Sequence, residues 1–264
     1  MRIAHLVHAQ ATAAEFVDEV SPRETVVDNG TSQTRTPSKR RRTEAHGPQA
    51  TERMSYSGAE TCGGPTVLED GPVTRILSYG PGLPDESEMR LCGDPAGKRA
   101  LELGVSNSLN ALALAEAGAK AMAIDADPHR IASLRRAADD VGLRVECHEG
   151  DLADLGWATS ASVDLVVAAG TLGQVDDLAR VLRQVHRVLK PEAPLVISAA
   201  HPAQPLNVVD PATPYGDAIR SIADWYMALY RANFRVDNLQ EVFDRSTASR
   251  VPSTLFFRAR KLGV

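Results

Sequence analysis

Arg99-Ala100-Leu101-Glu102-Leu103-Gly104-Val105-Ser106-Asn107-Ser108-Leu109-Asn110 is the stretch from which the fold can be worked out. Lys98–Leu103 is a short apolar-rich run that predicts a buried strand, and Gly104–Ser108 is a turn of small residues. Leu109–Ala117 then reads as an Ala- and Leu-rich helix, closed by Gly118 at the position where a left-handed residue ends a helix. Moving outward, Ala121–Ile124 repeats the buried-strand pattern and ends at Asp125. Asp127-Pro128 opens a second helix, since Asp caps well and Pro suits a first turn. Gly142 closes that helix, and Arg144–His148 alternates polar and apolar residues as an edge strand does.

The rest of the chain continues the alternation. Val163–Ala168 is a continuous apolar run with one charge, Asp164, and predicts a central parallel strand. Val175, Leu178, Val181, Leu182, Val185 and Leu189 fall on one helical face, with Arg180, Arg183 and Arg187 expected to point outward. Pro191 stops that helix, and Pro194–Ser198 is another buried strand. Ser221–Ala232 is a helix, and Phe234–Val242 and Ser253–Lys261 are late strands. Ahead of all this, Asp85 and Glu88 have capping-box spacing. Strand and helix alternating in this way predict an open α/β sheet with right-handed crossovers. Such sheets bind ligands at the carboxyl ends of their strands.

Three acidic residues stand at three successive strand ends. Glu102 lies two before Gly104 and suits a cationic amine resting on exposed backbone. Asp125 follows Gly104 by 21 positions, about the spacing at which a carboxylate meets a ribose diol. Asp151, in Gly150-Asp151-Leu152, can accept a hydrogen bond from an exocyclic amine. Together they fit an adenosine carrying a positively charged amino-acid tail. A dinucleotide would need neutral or basic groups for its pyrophosphate, and only one glycine of a GxGxxG pattern is present.

At these residues the chain resembles the class I S-adenosylmethionine (SAM)-dependent methyltransferases, over about Tyr79 to Val264. Arg99–Gly104, Ala123-Ile124-Asp125 and Glu149-Gly150-Asp151-Leu152 resemble the first three family motifs, in order. Val163–Val167 followed by His186-Arg187-Val188-Leu189-Lys190-Pro191 resembles a later strand and helix, and Tyr79-Gly80-Pro81-Gly82-Leu83-Pro84 resembles actinobacterial members. The resemblance implies a Rossmann-like seven-stranded sheet in the order 3-2-1-4-5-7-6, the last strand antiparallel, with helices on both faces. It implies SAM as co-substrate and a small-molecule methyl acceptor. It places Glu102 and the Gly104 turn with Ser106 at the methionine part, Asp125 at the ribose, and Asp151 with Leu152 at the adenine, and counts Asn110 among the cofactor-binding residues. Ala169 and Gly170 would lie beneath the methyl group, with Tyr79 as a cover.

One departure stands out: Ser106 and Ser108 occupy positions where family members usually carry glycine. A left-handed backbone at either would cost about 1–2 kcal/mol. This motivates an alternative reading, a non-catalytic SAM-binding or interaction protein with a degenerate loop. Methyl transfer from a sulfonium needs alignment and exclusion of water more than a dedicated catalytic group. For an oxygen nucleophile, His201 before Pro202 is the candidate base, or else the residue that orders that loop. His186 reads as packing or solvent-facing, and Trp225, Tyr226 and Tyr230 as core or cavity lining. Cys147-His148 lacks companion ligands at zinc spacing, so no metal is expected.

The averages are diluted by the N-terminal part. Of 264 residues, 43% are apolar and 24% charged, but no Val, Ile, Leu, Phe or Trp occurs between Asp28 and Pro65. Such a stretch cannot offset the entropy of ordering with burial. Residues 1–65 are therefore expected to be a leader, disordered or partly helical over Ala4–Val20, before a domain at 66–264. That leader holds eight basic and eight acidic residues, so the net charge of -5 belongs to the domain. A domain of that charge argues against nucleic acid as partner, and the basic run Lys39–Arg42 is the one feature that points toward it. His5, His8 and Gln10 interrupt any secretory apolar run, and no stretch suits a membrane span, which predicts a cytoplasmic protein.

Overall fold

The computed structural model describes residues 75–204, 215–216 and 219–263. The expected leader, its helix, its basic run and the boundary at residue 65 lie outside the described residues, as does most of the Pro-rich connection after His201. The described chain runs α1 (Glu86–Met89), β1 (Arg99–Leu103), α2 (Asn110–Glu116), β2 (Lys120–Asp125), α3 (Pro128–Asp140), β3 (Val145–Glu149) and β4 (Leu165–Ala169). It continues with α4 (Leu178–Val188), β5 (Pro194–Ala200), α5 (Ile222–Arg231), β6 (Phe234–Val242) and β7 (Thr254–Lys261).

The seven strands form one sheet in the order β3-β2-β1-β4-β5-β7-β6, as the resemblance implies. β1 to β5 pair in parallel, with Leu101 opposite Met122 on one side and Val166 on the other. β7 runs antiparallel to both β5 and β6. Every residue of β4 is buried, which is what a strand covered on both faces requires. α4 and α5 pack one face around Val181, Leu182, Val185, Trp225 and Leu229. α2, α3 and the segment before β1 cover the other, through Leu77, Tyr79, Leu112, Leu114, Ile131 and Leu134.

Local signals explain the ends of the elements. Asp127 caps α3 by accepting from the His129 amide, with Pro128 in the first turn. Gly118 follows α2 at φ +85, and the amides of Gly118 and Ala119 return to the carbonyls of Ala115 and Leu114. That is the paired closure for which glycine is favoured. Ser221 and Asp224 form a reciprocal capping box at the start of α5.

Two expectations need correction. The helix read from Val175 begins only at Leu178, because Asp177 caps it by accepting from the Arg180 amide. Arg187 does not turn outward; its guanidinium donates to the carbonyls of Leu155 (2.6 Å) and Ala158 (2.9 Å). A long arm with five donors can reach back over its helix, and loop carbonyls that keep a free lone pair give it a reason to.

Candidate cofactor cleft

The carboxyl ends of β1 to β4 surround an open cleft of about 530 Å³, bordered by Gly104, Asp125, Arg130, Asp151, Gly170 and Thr171 among others. A depression of similar size beside Arg135, Asp139 and Arg144 lies at the start of β3, away from these strand ends. Of the candidate cofactor residues, Gly104, Asp125, Asp151, Leu152 and Gly170 border the cleft, and Ala169 directly precedes it at the end of β4.

Gly104 is held by its amide to the Ile124 carbonyl and has φ +79, a conformation L side chains rarely adopt. A Cβ built on it would stand 2.5 Å from Cβ of Thr171. Thr171 in turn donates from Oγ1 to the Leu103 carbonyl. The sequence reading missed Thr171, and no local signal marks it, because the contact spans 68 positions.

Asp125 is only 8% exposed at the rim. Its Oδ2 accepts from the Val105 amide at 2.7 Å and its Oδ1 from the Asp127 amide at 2.8 Å. A carboxylate has about four lone-pair positions, so each oxygen keeps capacity for a further donor. Arg130 stands beside it, Nη1 3.9 Å from Oδ2, while donating to the Val105 carbonyl. Asp151 is exposed, accepts from the Ala153 amide, and lies 3.5 Å from the Arg180 guanidinium.

The remaining candidates are held elsewhere. Glu102 is fully buried beneath the turn, and four donors converge on its carboxylate. Oε1 accepts from the Ser106 amide (2.9 Å), the Ser106 hydroxyl (2.7 Å) and the Asn110 amide (3.2 Å), and Oε2 from the Ala111 amide (2.7 Å). It thereby caps α2 in place of Leu109, which sits at the N-cap without a capping side chain. Burial pushes the Glu102 carboxyl up, and the bonds from Ser106, Ala111 and Asn110 pull it back only in part. Asn110 is buried and clamps Ser78 by both its amide groups. Tyr79 packs edge-on against Phe256 and donates to Glu86; burial, with Cys92 and Glu86 beside it, pushes its hydroxyl up.

The two serines of the turn are answered directly. Neither Ser106 nor Ser108 has positive φ; Leu109 takes the left-handed position instead, at φ 51 and ψ 56. Restoring glycine at both serines is therefore expected to leave SAM affinity within about threefold. It should lower stability by about 1–2 kcal/mol, from the lost Ser106–Glu102 bond and the added chain entropy. Calorimetry and thermal melts of the double variant check this.

His201 is 4% exposed at the end of β5. Its Nε2 is 2.8 Å from Oε1 of Glu241, and its Nδ1 accepts from the Ala203 amide at 3.0 Å. Trp225 is core, whereas Tyr226 and Tyr230 are 48% and 66% exposed. His186 meets the Leu262 carbonyl and the edge of Phe234. Among the described residues no cluster could hold a metal, and no helix is long and apolar enough to cross a membrane.

Residues 101–197 match the family model of a methyltransferase domain. Over 129 residues the chain is 29% identical to a ubiquinone biosynthesis O-methyltransferase of Xanthomonas axonopodis pv. citri, covering 49% of this chain and 53% of that protein. The chain thus spans about half the length of the relatives it matches. The fold is shared with a SAM-dependent methyltransferase from Mesorhizobium loti, at TM-score 0.54 and 22% identity over 66% of this chain and 96% of that one. It is equally shared with the [4+2]-cyclase SpnF, at TM-score 0.56 and 18% identity over 67% and 78% of the two chains.

Proposed function

We propose that this chain is a class I SAM-dependent methyltransferase that transfers a methyl group from SAM to a small molecule, a reading supported by the methyltransferase-domain match over residues 101–197. The observation that carries this reading is Asp125. It is a carboxylate at the cleft rim with accepting capacity left on both oxygens, beside a glycine whose Cβ position must stay empty. Those features fit a ribose diol and a ligand lying close on backbone.

We assign the turn that Glu102 holds, with Gly104 and Ser106, to the methionine part, and Asp125 to the ribose hydroxyls. Asp151 and Leu152 fall to the adenine, Ala169 and Gly170 to the region of the methyl group. Tyr79 and Asn110 act through the cover segment, which they fasten at Glu86 and Ser78. When bound, SAM supplies a methyl group on a sulfonium for in-line displacement by the acceptor. The chain's share is to orient and to exclude water.

The relatives' O-methylation favours an oxygen nucleophile. For such an acceptor His201 is the assigned base, with Glu241 holding the ring by Nε2. Nδ1 takes a proton only after releasing the Ala203 amide, so a loop movement precedes that step. The domain's placement behind a leader and in the cytoplasm belongs to this proposal.

The test is calorimetry with SAM, its demethylated product and NAD, followed by label transfer from methyl-labelled SAM to small-molecule extract. Binding of SAM and its product but not NAD is expected. Asp125→Asn should weaken SAM about tenfold or more, since an amide keeps only one accepting atom. SAM binding without any transfer would favour the non-catalytic reading, since one fold can serve different functions. Failure to bind SAM would overturn both.

A further inference from the structure

Three backbone carbonyls in the loop after β4 fall between two ordered structures. Gly170 still bonds to the Ser198 carbonyl in the sheet, and Asp177 already caps α4. Between them, Thr171, Gln174, Val175 and Asp176 form one wall of the cleft. The wall is pinned on one side by Thr171, through Leu103, and by the fully buried Leu172. On the other side a single guanidinium reaches it. Arg220 Nη1 donates to the carbonyls of Gly173 (2.7 Å) and Leu172 (3.3 Å), and Nη2 to that of Val175.

Arg220 is itself fixed from behind. It precedes the capping box of α5, and its guanidinium carbon lies 5.8 Å from the centre of the Trp225 ring. Trp225 is 1% exposed and packs against Phe257, so the ring beside the guanidinium is itself part of the core.

We propose that Arg220 is a positioning residue for the cofactor cleft, setting the wall at 171–176 through the carbonyls of Leu172, Gly173 and Val175. This rests on the reading of the cleft as the SAM site. Arg220 borders the cleft nowhere itself; its effect on a ligand passes through the wall. A planar fork of donors suits several carbonyls at once, which a lysine ammonium matches only in part.

The experiment uses the full chain with Arg220→Met, Arg220→Lys and, as control, Arg260→Met, whose partners Asp237 and Glu192 lie outside the cleft. Affinity for SAM is read by calorimetry and backbone exposure by amide hydrogen exchange. Arg220→Met is expected to weaken SAM about tenfold and to speed exchange at 171–176. Arg220→Lys should recover part of both, and Arg260→Met should change stability while leaving both unaltered. Unchanged exchange at 171–176 in Arg220→Met overturns the clamp. Faster exchange with unchanged SAM affinity, or an equal affinity loss in Arg260→Met, overturns its role in the site. If the wild-type chain binds no SAM, the functional reading falls first, and exchange still tests the clamp by itself.

Discussion

Gly104→Ala is expected to lower SAM affinity about 100-fold and to destabilise the domain by about 2–5 kcal/mol. Two separate costs meet at this residue. A left-handed backbone, here φ +79, costs an L side chain about 1–2 kcal/mol. The new methyl would also lie 2.5 Å from Cβ and 2.8 Å from Cγ2 of Thr171. Those atoms are fixed to the backbone of the cleft wall, so the wall itself has to retreat, and overpacking of this kind costs about 1–3 kcal/mol. Retreat breaks the Thr171–Leu103 bond and displaces the surface on which the ligand rests. Gly173→Ala is the control: nothing lies within 4 Å of its Cβ position, and its backbone is not left-handed. The double variant Gly104→Ala/Thr171→Gly relieves the clash but not the strain, so it should recover affinity more than stability. Calorimetry and thermal melts separate the two, and a single variant binding within threefold of wild type would contradict the account.

Which of these features could be read from the sequence depends on how far each interaction reaches along the chain. The strand and helix alternation was legible because burial and capping are local. β4 is apolar throughout, Asp127-Pro128 marks its own helix, and Gly118 and Gly142 mark helix ends. The position of Asp125 was legible for a similar reason, since the carboxyl end of a parallel strand in such a sheet faces the cleft region. Side-chain direction was not legible where one turn decides it. Asn110 opens α2, and its amide faces Ser78 rather than the cleft because that is where the cover segment crosses. Tyr79 enters the core because Glu86, seven residues on, accepts its hydroxyl. Arg220 reaches carbonyls 45 to 48 positions away, and no spacing rule in the sequence records such a contact. The serines of the turn show a third case. Neither serine is left-handed, whereas the neighbouring Leu109 is, so serine at these two positions of the motif carries no left-handed strain.

Replacing Glu102 is expected to give the largest loss of stability in the domain. Glu102→Ala removes the acceptor of three backbone amides, those of Ser106, Asn110 and Ala111, and of the Ser106 hydroxyl. A buried donor left without a partner costs about 1–3 kcal/mol, and water entering the space recovers part of it, so the net loss is about 3–5 kcal/mol. For a domain of this size that is roughly 6–20 °C in melting temperature. Glu102→Gln keeps the shape but turns one oxygen into a donor facing a donor, and should cost about 2–3 kcal/mol. A second signature follows from protonation. Burial raises the Glu102 carboxyl above its ordinary value despite the bonds from Ser106, Ala111 and Asn110. The folded state then holds a proton that the unfolded chain releases near pH about 4.3. Its contribution is fully present below that pH and is lost as pH rises through the folded value. Urea titrations across this range should show that loss in the wild type and its absence in Glu102→Gln. The same pair of variants separates two parts Glu102 can play toward SAM. The carboxylate is fully buried beneath the turn and does not border the cleft, so the geometry favours an effect through Gly104 and Ser106 rather than a direct contact. Affinity should accordingly fall in step with the exposure of the amides at 104–111 in both variants. A Glu102→Gln protein that keeps those amides protected yet loses SAM would instead place the carboxylate on the ligand's amine.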